Sequence, residues 1–241
     1  MPGTLFLIPN TLGETEALAS VLPEQVQHIT AQLDYFVAEN AKTARAFLKL
    51  VNAGHPLARP LQEITISELN VNTPAAALAG LLAPLLAGRD GGLVSEAGVP
   101  AVADPGADLV RLAHQHNIPV RPLVGPSSLL LAVMASGLNG QSFAFNGYLP
   151  TDAAQRLTRI KELETRSRKE KQTQLFIETP YRNAAMLEAL VAACAPSTLV
   201  CVATDLSLAT ETIRTMTAAQ WKSAKAPDFH KKPTVFLLLG Q

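Results

Sequence analysis

Aromatic side chains are scarce, at 5 % of a 241-residue chain that is 48 % hydrophobic overall. That scarcity favours aliphatic helix-on-sheet packing over an aromatic-rich β-sandwich or a stacking platform for single-stranded nucleic acid. Cysteine is also rare. Cys194 and Cys201 lie in apolar company, VAACAP and LVCVA, and exclude both a disulfide framework and a four-cysteine zinc site. They read as small buried hydrophobes of a reducing compartment. No run approaches ~20 apolar residues, so no membrane span is expected. The N-terminus, MPGTLFLIPNTLGE, lacks the basic start of a signal peptide, and a cytoplasmic location is expected. Three site signatures are missing: the GxxxxGK[ST] phosphate loop, a GxGxxG after the first strand, and the GxSxG elbow. Their absence argues against ordinary NTPases, dinucleotide enzymes of the usual fingerprint and α/β-hydrolases. The five histidines show no ligand spacing, and no metal is expected.

Net charge is also absent, since 20 Lys+Arg balance 20 Asp+Glu. The balance hides an asymmetry. Residues 1–110 carry a net charge of −6 and residues 111–241 carry +6. An anionic partner is therefore expected to meet the second half. The stretch 156–171 alone carries +4, and Lys222, Lys225, Lys231 and Lys232 add a second basic cluster. Each cluster reads equally as a solvated surface.

What is present is an alternation of short apolar runs and helical stretches. Strands are expected at Thr4–Pro9, Tyr35–Glu39, Leu61–Ser67, Gly92–Ser95, Pro119–Val124, Ser142–Asn146, Thr173–Glu178, Thr198–Ala203, Glu211–Met216 and Thr234–Leu239. Helices are expected between most of them, including Glu14–Leu22, Asn40–Leu50 capped by Asn40, and Pro74–Leu86 kinked or ended by Pro84. The pattern predicts two α/β domains with mostly parallel sheets, 1–123 and 124–241, divided where Val124-Gly125-Pro126 interrupts it.

Two strand–turn–helix segments carry the densest punctuation. GGLVSEAGVPAVADPGADLV, residues 91–110, ends a strand at Ser95 and follows it with Glu96, Gly98, Pro100 and Asp104-Pro105-Gly106. Loops after the carboxyl ends of strands are where α/β proteins bind ligands. Gly98 permits close backbone approach, and the prolines stiffen the loop. Glu96 and Asp104 can accept hydrogen bonds from a ribose diol or face a cation. The same residues also read as a plain Gly/Pro connection with two capping acids. VGPSSLLLAVMASGL, residues 124–138, places Ser127 and Ser128 at a helix N-terminus, where they either hold an anion or simply cap. Glu39 and Glu178 stand at strand ends, and Arg182 can hold a phosphate or pair with Glu178.

VSEAGVPAVADPG resembles the S-D-A-G-x-P-x-x-x-D-P-G loop of the tetrapyrrole methylase superfamily. Further motifs follow in order along almost the whole chain: LFLIPNTLG, AENAKTARAFL, VGPSSLLLAVMASGL, FNGYLP, LFIETPYRN and, more loosely, VATDLSLATETIRT. Within the superfamily they are most similar to the branch that methylates a cytidine ribose 2′-oxygen of small-subunit ribosomal RNA. The resemblance implies two α/β domains with S-adenosylmethionine in the cleft between them, and a homodimer. It carries cofactor contacts onto Pro9, Asn10, Glu96, Gly98, Val99, Ser127 and Ser128, and onto Ile177, Ala203 and Pro233.

The chain departs from that pattern in places. Asn40 stands where the branch has Asp, Glu96 where it has Asp, and Thr204-Asp205 where it has Arg-Glu. The sequence ends after TVFLLLGQ, and the branch's C-terminal helical extension is expected to be absent. Transfer to a hydroxyl needs a base, and Glu39, Asp104 and Glu178 are the candidates. A ribose of ribosomal RNA is the first reading of the acceptor. A tetrapyrrole-like or other planar small molecule is the second. A non-catalytic dimer that keeps the fold is the third.

Overall fold

The computed structural model describes residues 1–14 and 18–241. The chain divides into two compact units, Met1–Ser127 and Ser128–Gln241. In the first, the elements are β1 (Leu5–Ile8), α1 (Glu24–Gln32), β2 (Tyr35–Ala38), α2 (Ala41–Gly54), β3 (Thr65–Glu68), α3 (Leu78–Leu86), β4 (Gly91–Val94), α4 (Ala107–Gln115) and β5 (Val120–Pro122). The strands form one sheet in the order β3-β2-β4-β1-β5, and every pairing is parallel.

Strand alternation sorts the apolar residues onto two faces. Phe6, Ile8, Phe36 and Val94 pack with Val26 of α1 and with Phe47, Leu48 and Val51 of α2. Leu5, Tyr35, Val37 and Leu93 pack instead with Leu82 and Leu85 of α3 and Leu109 of α4. Both faces are thus covered, as a parallel sheet requires. Each such fully buried side chain is worth about 1.5–3 kcal/mol of transfer free energy.

Asn40 caps α2 as expected: its side chain accepts the N–H groups of Lys42 and Thr43. Pro84 lies inside α3, which ends two residues later at Leu86, and a single 3-10 turn, Ala75–Ala77, precedes that helix. The helix expected over Glu14–Leu22 falls partly on residues 15–17, outside the described residues; Leu18–Ser20 forms one 3-10 turn. Helix α1 went unread in the sequence. Its β-branched Val26, Ile29 and Thr30 weaken the helical signal, although Val26, Thr30 and Ala31 form a buried stripe.

The second unit contains α5 (Ser128–Ser136), β6 (Phe143–Tyr148), α6 (Ala153–Glu170), β7 (Thr173–Ile177), α7 (Asn183–Ala193), β8 (Leu199–Thr204), β9 (Thr212–Thr217), α8 (Ala218–Trp221) and β10 (Thr234–Leu239). Its sheet has the order β6-β7-β10-β8-β9. Here the expectation of mostly parallel sheets meets a mixed one. Only β6 and β7 run parallel; β7-β10, β10-β8 and β8-β9 are antiparallel. For β8 and β9 the reason is connection length. Residues 205–211 join β8 to β9 as a hairpin, too short for the crossover a parallel pair needs. Asp205 and Ser207, at φ 52° and 69°, turn that hairpin. Ile160, Leu163, Phe176, Met186, Leu190, Trp221 and Phe236 form the main core under α6, α7 and α8. Buried Glu164 anchors α6 by accepting the N–H of Ala195, 2.7 Å away, and the hydroxyl of Thr198. Cys194 and Cys201 are both free and buried, and burial pushes their thiols up to about 12 and about 11.

One close approach ties the end of β5 to the end of β1. A Cβ added to Gly125 would lie 2.3 Å from both Cβ and Cγ of Pro9. A proline ring cannot rotate away. Gly125→Ala is therefore expected to lower stability by ~1–3 kcal/mol, read as a lower urea midpoint at unchanged slope. An unchanged midpoint would show that the two segments do not touch.

Candidate active site

The strand order places β4 between β1 and β2. All three run the same way, so their carboxyl ends open side by side, and so do the segments that follow them. These are Pro9-Asn10-Thr11, Glu39-Asn40 and Ser95-Glu96. An open cleft of about 980 Å³ lies against them, lined by Asn10, Thr11, Asn40, Thr43, Phe47 and Glu96 among others.

Asn10 laces two of the segments together. It is 4 % exposed. Its backbone N–H donates to Gly98 O at 2.8 Å. Its side-chain amide donates to Ser95 O at 3.3 Å and Glu96 O at 3.0 Å, and its side-chain oxygen accepts the Thr11 N–H at 2.8 Å. Gly98 N–H returns a bond to Thr11 O at 3.3 Å. The third segment joins through Glu39 N–H to Val94 O, 3.3 Å, and through the Thr43 hydroxyl to Glu96 Oε1, 3.3 Å.

The loop from 98 to 106 holds an uncommon backbone. Gly98, Ala101, Ala103 and Gly106 have φ of 67°, 64°, 64° and 133°. The two alanines each cost about 1–2 kcal/mol in that region, strain of the kind that clusters at functional sites. The glycines and prolines of this loop were legible signals; Ala101 and Ala103 carried none.

This frame crowds three carboxylates. Burial raises Asp104 to about 6; the negative charges of Glu39 and Glu96 add to the shift and a hydrogen bond from Ser95 opposes it. Burial likewise raises Glu39, partly offset by a backbone hydrogen bond from Glu96 and reinforced by the Glu96 charge. The cluster suits a ligand that brings positive charge and hydroxyl donors, and its half-buried acid is raised to about 6. A sulfonium nucleoside has both features, so these residues fit S-adenosylmethionine. Among the described residues, no group of His, Cys, Asp and Glu is arranged to hold a metal ion, and no helix is long and apolar enough to cross a membrane.

Within the first unit, then, Pro9, Asn10, Glu39, Glu96, Gly98, Val99 and Asp104 belong to one set of strand-end segments. Ser127 closes that unit, and Ser128 is the first residue of α5. In the second unit, Ile177 and Ala203 flank Val235 in register, and Pro233 lies two residues before it. These three expected positions therefore share one end of the second sheet. Glu178, at the same end, is fully engaged: it pairs with Arg182 at 2.5 Å and accepts the Thr179 N–H at 2.6 Å. Of the two roles open to Arg182, the pairing is the one seen. In α6, Arg159, Arg166 and Arg168 pair with Glu162, Glu170 and Glu164, so much of that helix's charge is balanced along its own surface.

Residues 20–221 match the family described as Tetrapyrrole (Corrin/Porphyrin) Methylases. The chain is 31 % identical over 240 residues to the ribosomal RNA small subunit methyltransferase I of Xylella fastidiosa, covering 100 % of this chain and 82 % of that protein. It is 28 % identical over 235 residues to the protein of that name from Vibrio cholerae, covering 98 % and 76 %. Among solved structures, the methyltransferase CobJ shares the fold with a TM-score of 0.63 at 18 % identity, covering 99 % of this chain and 94 % of that one.

Asp104 supplies a test of the carboxylate cluster. Its folded pKa lies above its unfolded value, so the native state holds its proton longer. Stability from this group is therefore present below about pH 4 and lost as pH rises towards 6. Asp104→Asn removes the buried charge. It is expected to raise stability at pH 7 by ~1 kcal/mol, after discounting for solvent screening, and to change nothing at pH 4. A variant equally destabilised at both pH values would show that the carboxylate is not electrostatically crowded.

Proposed function

We infer the function from one premise: this chain belongs to the tetrapyrrole methylase family, and it is an S-adenosylmethionine-dependent methyltransferase. Its acceptor, in our reading, is a ribose 2′-oxygen of small-subunit ribosomal RNA. The observation that carries this reading is the end-to-end similarity to ribosomal RNA small subunit methyltransferase I. The positive charge of the second half supports it. A homodimer and a cytoplasmic location belong to the same proposal.

The methyl donor supplies an already activated methyl group on a sulfonium. The protein's own work is alignment, exclusion of water and removal of one proton. The proposed donor contacts in the first unit are Pro9, Asn10, Glu96, Gly98, Val99 and Ser127; those in the second are Ser128, Ile177, Ala203 and Pro233. Glu96 is suited to accept hydrogen bonds from hydroxyls. Gly98, at φ 67°, presents backbone where a side chain would be strained.

Asp104 is assigned as the base that takes the acceptor hydroxyl's proton onto its carboxylate. Its pKa of about 6 leaves it ionised, yet still basic, at neutral pH. Burial first, and then the charge of Glu39, holds that value up, while Glu178 is committed to Arg182.

Two measurements test the proposal. S-adenosylhomocysteine is expected to raise the melting temperature, by the equivalent of about 2.7 kcal/mol at a hundred times its Kd; no shift at millimolar ligand removes the donor site. Labelled methyl transfer is then offered bare small-subunit RNA, assembled small subunits and a porphyrin-type panel. The label is expected in RNA, at a linkage that resists alkaline cleavage. kcat/KM, which reports the free protein, should fall as pH drops through about 6, and Asp104→Asn should lose ~10²–10⁴ in kcat with S-adenosylhomocysteine binding retained. Label in the porphyrin panel alone would replace the acceptor; full kcat in the variant would replace the base.

A further inference from the structure

Scarce aromatics make an exposed one conspicuous. Tyr181 is 73 % exposed, more than any other aromatic side chain of the chain. It sits in the 3-10 turn Pro180–Arg182 that follows β7. Lys231 Nζ stands 5.8 Å from its ring centroid. A cation on one face of a ring leaves the other face open to a flat group.

The pair rests on a rigid base. Lys231 has φ 60°, and its N–H donates to Pro180 O at 3.2 Å. Asn183, only 1 % exposed, begins α7 directly after the turn. Its amide donates to Phe229 O at 2.8 Å, Lys232 O at 2.9 Å and Thr234 Oγ1 at 3.1 Å. Phe229 itself is buried in the main core. One buried amide thus fixes the strap carrying Lys231 against the turn carrying Tyr181. Neighbouring charges are already taken up: Arg182 pairs with Glu178, and Lys232 with Asp205 and Asp228. Lys231 is turned to the ring instead. The segment 222–232 is strongly cationic, with Lys222, Lys225, Lys231 and Lys232 against a single acid, Asp228. The platform also lies at the end of the second sheet that carries Ile177, Ala203 and Pro233.

We propose that Tyr181 is a stacking platform for one unpaired base of the RNA, with Lys231 bracing the ring and contacting the adjoining phosphate. This rests on the RNA reading of the function and adds the surface that reads it. Only an unpaired nucleotide can offer a free face, so the proposal specifies single-stranded or looped RNA rather than a duplex.

The test is fluorescence anisotropy with an unstructured 12-nucleotide RNA at 50 and 200 mM salt, on the full chain with S-adenosylhomocysteine present. Tyr181→Phe is expected to bind like the unaltered protein. Tyr181→Ala should bind roughly 10-fold more weakly with an unchanged salt slope, since stacking is not a charge effect. Lys231→Gln should bind more weakly with a slope reduced by about 1. The melting temperature of Tyr181→Ala should not move, because the ring is exposed. kcat/KM for RNA methylation should fall with affinity in Tyr181→Ala. If the unaltered protein methylates RNA while Tyr181→Ala matches it in affinity and kcat/KM, the platform is wrong and the function stands. A loss in Tyr181→Phe as large as in Tyr181→Ala would mean that the hydroxyl acts, which also overturns stacking. If the unaltered protein neither binds nor methylates any RNA but takes a planar porphyrin-type acid, both readings fall together.

Discussion

The buried amide of Asn10 joins the loop after β1 to the loop after β4, and the arrangement at the cleft depends on that junction. A buried side-chain amide left without partners costs about 1–3 kcal/mol, so the loops on either side must come to it. They do: three donor bonds run from Asn10 to the carbonyls of Ser95, Glu96 and Gly98, and its oxygen holds the Thr11 N–H. With the loops fixed, the backbone from Gly98 to Gly106 turns back through four left-handed residues and brings Asp104 towards Glu39 and Glu96. The crowding is a cost of folding, and the two apolar cores on either side of the sheet offset it. That division suits a methyltransferase. The donor is already reactive, and the protein's task is to place a cation, a hydroxyl and one base of tuned acidity.

The second unit answers a different demand. Its sheet mixes one parallel with three antiparallel pairings, and its buried polar residues act as staples rather than as reactive groups. Glu164 holds Ala195 and Thr198, and Asn183 holds the strap from Phe229 to Thr234. Glu178, a base candidate on strand-end logic, proves to be such a staple through Arg182 and the Thr179 N–H. Glu178 and Asn183 hold the end of the sheet that carries Ile177, Ala203 and Pro233, with an exposed ring beside it, while Glu164 holds the opposite end, where β8 begins.

Much of the fold was legible because most strands are short apolar runs, several of them bounded by Gly, Pro or Asn, and because Asn40 announces α2. Helix α1 was hidden by Val26, Ile29 and Thr30, whose branched side chains read against a helix until the buried stripe is seen. Strand direction in the second unit was hidden too, since residues 205–211 look like any polar connection and only pairing makes them a hairpin. At the candidate site, Gly98, Pro100 and the Asp104-Pro105-Gly106 run marked the loop. The meeting of Glu39, Glu96 and Asp104 had no local mark. It follows from β4 inserting between strands that precede it by dozens of residues, a pairing no short pattern encodes. The bonds of Asn10 and the positive φ of Ala101 and Ala103 were equally silent, since neither residue type demands them.

Crowding of Asp104 by burial and by the charges of Glu39 and Glu96, which the proposed cationic donor relieves, is what the proposed chemistry depends on. Carbon-13 NMR titration of the Asp104 carboxyl measures it directly, in the free protein and with either S-adenosylmethionine or its neutral thioether product bound. The account predicts a midpoint near 6 in the free protein, lowered by the cationic donor and lowered much less by the product. A midpoint in the ordinary aspartate range, or one indifferent to the donor's charge, would contradict it.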